Sequence, residues 1–284
     1  MSSTPPPPPS GRSPSPAIAG AESTAPIQFT DGKAYETFMG RWSRIAGRKF
    51  LSWVNPPKGL RWVDVGCGNG AFTEELVAQA APASVTGVDP SEGQISFARS
   101  RFTANNIEFR IGDACALPFA DNSFDAASMA LVIVFVSDPQ KAASELARVV
   151  KPGGIAATYM WDMTGGGFPH SPLSKALQSL DLPMPSRPNP QAGSHDALLA
   201  YWKNAGFTDI ATDVIRIDTV YADAEDYWQS ATIASGPAAN AMSKLTPADK
   251  ERLKARLREI LPAAADGKIV YQAFANAVKG RAPS

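Results

Sequence analysis

The segment RWVDVGCGNGAF places the strongest constraint on the fold. A short hydrophobic run ends near Asp64, and the glycines Gly66, Gly68 and Gly70 follow at once and lead into a helical pattern. Glycines at such a turn let the backbone approach a ligand closely, and the start of the helix offers N–H groups that have no partner within the helix. The segment therefore predicts a strand, a ligand-binding turn and a helix.

Strand and helix patterns alternate along most of the chain. The predicted strands are LRWVDVG, SVTGVD, IEFRIGD, FDAASMALVIV, GIAATYMWD, DIATDVIRIDTV and KIVYQAFANAVKG. Helical segments separate the first five, which is typical of parallel βαβ units. We predict an α/β fold with a doubly wound, Rossmann-like, seven-stranded, mostly parallel sheet and helical cap insertions.

The sequence predicts one domain behind a polar tail. Residues 1–26 are rich in Pro and Ser and are expected to be disordered. Residues 27–284 are expected to form the domain, with lid or cap segments at about 163–193 and 222–265. Glycines and prolines predict an irregular first lid, whereas Thr246 and Pro247 predict the start of a helix in the second.

Composition excludes several classes of protein. Lys plus Arg equals Asp plus Glu at 27 each, so no basic excess predicts a nucleic-acid partner. The two cysteines, Cys67 and Cys115, stand outside any CxxC pattern, and we expect no disulfide and no metal site. No apolar run approaches the roughly 18 residues that a membrane span needs, and no secretory signal is apparent. We expect a soluble, cytoplasmic protein.

Three acidic residues stand at the ends of successive predicted strands. Asp89 ends the second strand, where a carboxylate accepts hydrogen bonds from ribose hydroxyls. Asp113 ends the third, and it could hold an adenine amino group while the N–H of Ala114 donates to the ring. Asp64 stands beside the glycine turn, where its charge disfavours a pyrophosphate and favours a cationic ligand. Together they indicate an adenosine ligand that carries positive charge.

The order and spacing of VDVGCGNG, GVDPS, GDA, FD and LARVVKPGG resemble the motifs of class I S-adenosylmethionine-dependent methyltransferases. Among these, the chain is most similar to the ubiquinone and menaquinone biosynthesis group, with its type 11-like methyltransferase domain. The resemblance covers about Val63 to Ala157 and implies S-adenosyl-L-methionine as the cofactor. The cofactor-binding residues that it implies are Asp64, Gly66, Cys67, Gly68, Gly70, Asp89, Pro90, Gln94, Asp113, Ala114 and Leu131. Gln94 departs from the pattern, because such enzymes often carry a methionine there.

The segment YETFMGRWSR resembles the lead-in of some bacterial members of this family. The resemblance implies that Tyr35 closes over the methionine end of the cofactor and that Arg41 pairs with its carboxylate. A packing tyrosine and a solvated arginine on an amphipathic helix remain the alternative.

Residues at the mouth of the sheet are expected to face the methyl acceptor. The residues expected at this mouth are Tyr159, Trp161, Asp162, His170, Tyr227 and Trp228. Asp162 and His170 are the candidates for a general base, which only an acceptor that loses a proton requires. An ordinary histidine on the lid surface is the alternative for His170. Cys67 is expected to face the ligand by its backbone rather than to act as a nucleophile.

The predicted activity is methyl transfer to a small molecule. The segment MALVIVFVSD lacks the polar tetrad of enzymes that methylate base amines, so an oxygen or carbon acceptor is favoured. A protein of the same fold that binds the cofactor and methylates nothing remains open. A dehydrogenase is a third possibility, and the glycine spacing and Asp64 disfavour it. The sequence leaves the oligomeric state open.

Overall fold

Seven strands form one sheet in the computed structural model, which describes residues 40–185, 187–232 and 236–283. The strand order is β3-β2-β1-β4-β5-β7-β6. Strands β1 to β5 are parallel, and β7 runs antiparallel between β5 and β6. The predicted doubly wound, mostly parallel sheet is confirmed. The predicted tail, residues 1–26, lies outside the described residues, as does Tyr35.

Strands and helices alternate along most of the described chain, apart from β3 and β4, which follow each other directly, and successive helices before each of the last two strands. The first part comprises α1 (Arg41–Val54), β1 (Arg61–Val65), α2 (Ala71–Ala80), β2 (Ser84–Asp89), α3 (Glu92–Arg101), β3 (Ile107–Ile111), β4 (Phe124–Ala130), α4 (Pro139–Val149) and β5 (Val150–Trp161). The second part comprises α5 (Ser171–Ser179), a 3₁₀ turn (Pro190–Gly193), α6 (His195–Asn204), β6 (Thr208–Tyr221), α7 (Ala224–Ala231), α8 (Gly236–Ser243), α9 (Pro247–Ile260) and β7 (Ile269–Arg281).

The central strands are buried on both faces because helices cover both sides of the sheet. Four consecutive residues of β1, from Trp62 to Val65, are buried, and so are seven at the end of β5. Continuous burial explains why these strands read as apolar runs rather than as alternating patterns. Helix α1 turns Trp42, Ala46 and Phe50 towards this core at helical spacing.

The strand order reverses on the two sides of β1, which pairs with β2 on one side and β4 on the other. Open parallel sheets bind ligands in the crevice at such a reversal, beyond the carboxyl ends of the strands. We therefore expect a ligand site among the loops that follow β1, β2, β4 and β5.

The fourth strand is shorter than predicted. The sequence predicted a strand through Val134, but β4 ends at Ala130. Leu131 takes a left-handed conformation with φ of 62°, and its N–H donates to the carbonyl of Tyr159. A left-handed residue cannot continue a strand, so the apolar run that follows forms buried turns instead.

The first lid segment contains a helix where an irregular segment was predicted. Helix α5 buries Leu173, Ala176 and Leu177, which recur at helical spacing, and Pro172 stands in its first turn. Proline is tolerated there because that N–H has no partner within the helix. Pro172 therefore marks where this helix begins rather than a loop.

Two helices in the second half begin at a side-chain cap, and the second of them begins at the predicted residue. Ser194 caps α6 by accepting from the N–H of Ala197. Thr246 caps α9 in a reciprocal arrangement with Asp249. Among the helices of the described ranges, none combines the length and hydrophobicity needed to cross a membrane.

Candidate active site

Most of the predicted ligand-binding residues meet at the carboxyl edge of the sheet. The register pairs Val65 with Val88 and Asp89 with Ile111, so the ends of β1, β2 and β3 are level. The N–H groups of Gly66 and Cys67 both donate to the carbonyl of Val88. The glycine turn is therefore attached to the end of β2.

The glycine turn has left-handed backbone and an open side. The φ angles of Gly66, Gly68 and Gly70 are 72°, 51° and 82°. A Cβ on Gly66 would lie 2.4 Å from a methyl group of Val132, whereas a Cβ on Gly68 would meet no atom within 4 Å. Gly66 is thus required by packing, and the backbone of Gly68 borders open space that a ligand can occupy.

Asp89 connects this turn to the adjacent strand. Its Oδ2 accepts from the N–H of Gly68 at 3.0 Å, and its Oδ1 accepts from the N–H of Ser91 at 2.9 Å. Burial raises the pKa of Asp89, and these two hydrogen bonds oppose the rise. Because a carboxylate oxygen can accept two hydrogen bonds, each oxygen has capacity for one more donor. Two neighbouring hydroxyls of a ribose would match that capacity.

Asp64 is enclosed rather than lining an open surface. Its Oδ2 accepts from the Thr73 hydroxyl at 2.7 Å and its Oδ1 from the Ser128 hydroxyl at 3.2 Å. The residue is 1% exposed, and burial raises its pKa to about 6. The side chain of Asp64 therefore does not reach the surface of the turn, and a direct contact between Asp64 and a ligand, as expected from the sequence, is not supported. Its negative charge lies beneath the glycine turn.

Thr73 and Ser128 hold the carboxylate of Asp64, and neither contact was predicted from the sequence. Thr73 lies in the first turn of α2, and Ser128 is a buried hydroxyl of β4 that also accepts from the indole N–H of Trp62. A hydroxyl within an otherwise apolar strand was the only signal in the sequence. It could not reveal which carboxylate the hydroxyl would meet.

Cys67 and Gln94 are both buried next to the turn. Burial raises the pKa of the Cys67 thiol well above its ordinary value, and the charges of Asp64 and Asp89 add to the effect. A protonated thiol is a poor nucleophile, which agrees with the reading that Cys67 serves by its backbone. Gln94 lies in the first turn of α3, where its N–H donates to the Ser91 hydroxyl, and Pro90 before it is exposed.

The predicted adenine site follows β3. The Oδ1 atom of Asp113 accepts from the N–H of Cys115 at 2.8 Å, and its carbonyl accepts from the N–H of Ala116. Asp113 is exposed and Ala114 is 8% exposed. The carboxylate thus closes a tight turn at the same edge of the sheet as Asp89.

Arg41 is placed against the cap. Its guanidinium carbon lies 4.3 Å from the ring centroid of Trp42 and 4.7 Å from that of Tyr221. One Nη atom is 3.8 Å from a carboxylate oxygen of Asp226. Arg41 is therefore neither fully solvated nor freely extended, and any pairing with a ligand carboxylate would compete with Asp226.

Several residues expected at the acceptor mouth belong to the core. Tyr159, Trp161 and Tyr227 are 1%, 2% and 0% exposed. Tyr159 packs on Phe50 at a centroid distance of 4.5 Å, beneath α1. Trp228 is half-buried beside Lys254, between α7 and α9. The expectation was wrong for these three residues because Tyr159 and Trp161 lie within the continuously buried end of β5, and Tyr227 lies on the buried face of α7.

The two candidates for a general base are both engaged in structure. Asp162 accepts from the backbone N–H of Gly165 at 2.6 Å and from the amide of Asn276 at 3.2 Å. His170 is 1% exposed, so it is not a histidine of the lid surface, and its Nε2 lies 3.3 Å from the Ser230 hydroxyl. Burial lowers the pKa of His170 to about 3, with a smaller contribution from the charge of Arg41.

His195 begins α6 and is exposed, with its ring between Asp196 and Thr212. Within the described ranges, no cluster of three His, Cys, Asp or Glu side chains could hold a metal ion.

Comparisons with known proteins bear on this arrangement. Residues 63–158 match a protein-family model described as a methyltransferase domain. Demethylmenaquinone methyltransferase of Symbiobacterium thermophilum is 38% identical over 120 residues, which is 40% of this chain and 47% of that protein. Malonyl-[acyl-carrier protein] O-methyltransferase of Erwinia billingiae is 35% identical over 142 residues, 50% of this chain and 53% of that protein. The chain thus spans about half the length of these curated relatives.

Solved structures share the fold at low sequence identity. Phosphoethanolamine N-methyltransferase 2 of Haemonchus contortus, solved in complex with S-adenosyl-L-methionine, has a TM-score of 0.57 at 20% identity. The match covers 89% of this chain and 56% of that one. The [4+2]-cyclase SpnF has a TM-score of 0.52 at 21% identity, with 86% of this chain and 80% of that one covered. The fold is therefore shared by proteins described as different enzymes.

The sheet order and the strand-end residues define a class I methyltransferase fold. Residues 63–158 match the methyltransferase domain model, and the resemblance to class I S-adenosylmethionine-dependent methyltransferases that the motifs carry is confirmed. S-adenosylmethionine is the cofactor of that family.

The strand-end residues fit this cofactor in three respects. Asp89 has acceptor capacity for the ribose hydroxyls, and the space over Gly68 is open to a ligand. The buried carboxylate of Asp64 supplies negative charge beneath the turn, which suits a sulfonium and an ammonium group.

Proposed function

We propose that the protein transfers the methyl group of S-adenosylmethionine to a small-molecule acceptor, with oxygen or carbon as the favoured acceptor atom. The geometry of Asp89 carries this proposal, because its carboxylate faces the glycine turn with capacity for two more donors. The names of the relatives, which include a C-methylating and an O-methylating family, support the choice of acceptor atom.

Asp89 would hold the ribose diol, and the turn from Gly66 to Gly70 would pass beneath the ribose and the methionine portion. Asp113 and the N–H of Ala114 would hold the adenine, while Pro90, Gln94 and Leu131 would border the nucleoside. When bound, S-adenosylmethionine supplies an electrophilic methyl group on a positively charged sulfur. The protein's share of the work is to orient the two reactants and to exclude water.

Asp64 would act on the bound cofactor through its charge. Its carboxylate is held by Thr73 and Ser128 and has almost no exposure. A fixed negative charge in a region of low dielectric interacts strongly with a nearby cation. Asp64 would therefore favour the cationic cofactor over the neutral sulfide product.

We infer that neither Asp162 nor His170 acts as a general base. Asp162 closes the turn after β5 through Gly165 and Asn276, and His170 is enclosed by aromatic rings. A general base must come within about 3 Å of the proton that it removes. The chemistry proposed here therefore relies on positioning, as a carbon acceptor of high electron density or an ionised oxygen acceptor would allow.

Turnover tests the proposal. Purified protein is incubated with S-adenosylmethionine and acceptors that represent a quinol, a catechol, a carboxylic acid and an amine, and S-adenosylhomocysteine is quantified. Acceptor-dependent product with the quinol, catechol or acid is expected. Turnover with the amine alone would contradict the choice of acceptor atom. Tight cofactor binding with no turnover for any class would favour the protein of the same fold that methylates nothing.

An Asp89→Asn variant with Asp196→Asn as its control sharpens the test. Asp196 has a side chain that is 99% exposed, so its substitution removes the same charge without touching the site. Asp89→Asn should lose most turnover, and Asp196→Asn should retain it. Equal turnover in the two variants would show that Asp89 does not contribute to the site.

A further inference from the structure

Arg187 lies in a segment that crosses over the carboxyl edge of the sheet. Two residues further on, Asn189 donates its backbone N–H to the carbonyl of Val134 and its side-chain amide to that of Val136, at 3.2 and 2.7 Å. Both carbonyls belong to the loop that follows β4. The segment around Arg187 is therefore fixed to the β4 side of the crevice.

The guanidinium of Arg187 is also close to the loop that follows β5. Its central carbon lies 5.3 Å from the ring centroid of Phe168, which is 9% exposed. Arg187 thus lies between the loops after β4 and β5. The predicted nucleoside residues lie on the other side of β1, where Asp89 ends β2 and Asp113 follows β3.

Arg187 has no counter-charge in the part of the chain that the structure describes. The residue is half-buried, its Nε atom is buried without a hydrogen-bond partner there, and none of the ion pairs found among those residues includes it. Burial alone lowers its pKa. Arg148, by contrast, has two carboxylate partners, because Glu145 and Asp121 both form ion pairs with it.

An arginine in this position cannot relieve its burial by losing a proton. The guanidinium stays charged throughout the physiological range, and a donor of a charged group that is buried without a partner, as Nε is, carries a cost in free energy. The Phe168 ring offsets part of this cost through a cation–π contact. An anion that arrives from solution would supply the rest of the compensation.

We propose that Arg187 receives the anionic group of the methyl acceptor, a carboxylate or a phosphate. This inference rests on the proposed function and specifies the acceptor class. A guanidinium binds both groups through paired N–H donors in one plane, and the contact with Phe168 favours a fixed orientation of that plane. Such a contact holds the acceptor at one end and leaves its reactive atom free to face the cofactor.

The Nε–H group of Arg187 gives a direct readout. Its ¹⁵N–¹H resonance is assigned by its loss in Arg187→Met and Arg187→Lys, and the protein is titrated with acetate, inorganic phosphate and neutral acetamide at constant ionic strength. Saturable shifts of this resonance with acetate or phosphate, absent with acetamide, are expected. The two anions distinguish a carboxylate from a phosphate acceptor. Arg187→Met should weaken anion binding at least tenfold, measured by the displacement of neighbouring amide resonances.

Arg110→Met is the matched control. Arg110 also lies over an aromatic ring, with its guanidinium carbon 5.6 Å from the Phe119 centroid, but it is half exposed and paired with Glu108. Its substitution should leave anion binding unchanged. Equal shifts with acetate and acetamide, no shift with either anion, or unaltered anion binding in Arg187→Met would each overturn the proposal.

A second titration separates this proposal from the proposed function. With S-adenosylhomocysteine at saturation, anion binding at Arg187 should persist, because an acceptor must bind beside the cofactor. Competition between the two would assign Arg187 to the carboxylate of the cofactor and overturn the acceptor proposal. Failure of S-adenosylhomocysteine to bind at all would count against the proposed function, whereas the anion titration of the free protein would still decide on Arg187.

Discussion

The Asp89 carboxylate accepts the backbone N–H of Gly68 at 3.0 Å, which joins the end of β2 to the glycine turn after β1. The same carboxylate accepts from Ser91 at the start of α3. One side chain thus positions the turn and a helix start, and it retains acceptor capacity for a ligand. Structure and proposed binding depend on the same group.

Gly68→Ala separates a ligand effect from a stability effect. Gly68 has a φ of 51°, and a Cβ there meets no atom within 4 Å. We expect a loss of about 1 kcal/mol in the free energy of unfolding, from backbone strain alone. Because the Cβ would occupy the proposed ligand space, affinity for S-adenosylhomocysteine should fall at least tenfold, as measured by calorimetry.

Gly267→Ala is the control for this prediction. Gly267 has a φ of 83°, and its added Cβ also meets nothing within 4 Å. It should show a similar loss of stability with unchanged affinity. Unchanged affinity in Gly68→Ala as well would place the ligand elsewhere.

Asp64 should make stability fall as pH rises. Its folded pKa of about 6 lies above the ordinary value of 3.8, so the folded state binds more protons between these values. The contribution is fully present below pH 3.8 and is lost as pH rises through 6. Relative to wild type, Asp64→Asn should therefore gain about 1 kcal/mol of stability between pH 5 and pH 7 in urea unfolding. A difference in stability between Asp64→Asn and wild type that does not change with pH would contradict the buried charge.

His170 should act in the opposite direction. Its folded pKa of about 3 lies below the ordinary 6.5, so the unfolded state binds more protons. Stability from this group is present above pH 6.5 and is lost as pH falls towards 3, by about 2 kcal/mol between pH 7 and pH 5. His170→Gln should flatten that part of the urea-unfolding profile.

Turnover gives a second readout for His170. If it is not a base, His170→Gln should change kcat by less than threefold, once the variant is shown to be folded. A loss of a hundredfold or more, with the acid limb of the pH–rate profile removed, would restore His170 as a catalytic residue.

The proposed cofactor half of the site could be predicted from the sequence because it is built from local units. A strand, a turn and a helix start place Gly66 and Asp89 at strand ends wherever the sheet is parallel. The register of that sheet then brings separate motifs to one edge. Spacing along the chain was sufficient for this half.

The acceptor half could not be read in the same way. Leu131 ends β4 through a left-handed backbone, which hydrophobicity does not signal, and Pro172 marked the start of a helix rather than a loop. Tyr159 was expected at the mouth but packs beneath α1, far away in sequence. No sequence pattern predicted the surroundings of Arg187, which stands between two prolines. These surroundings are formed by loops that follow two different strands.

We propose above all that the carboxylate of Asp89 holds the cofactor at the glycine turn. Isothermal titration calorimetry of the protein against S-adenosylmethionine and S-adenosylhomocysteine tests it directly, with Asp89→Ala, Asp196→Asn and NAD as comparisons. We expect wild type and Asp196→Asn to bind both compounds with micromolar affinity and not to bind NAD. In Asp89→Ala, the affinity for both compounds should fall at least a hundredfold. Folded wild-type protein that binds neither compound, or Asp89→Ala that binds both as wild type does, would contradict this proposal.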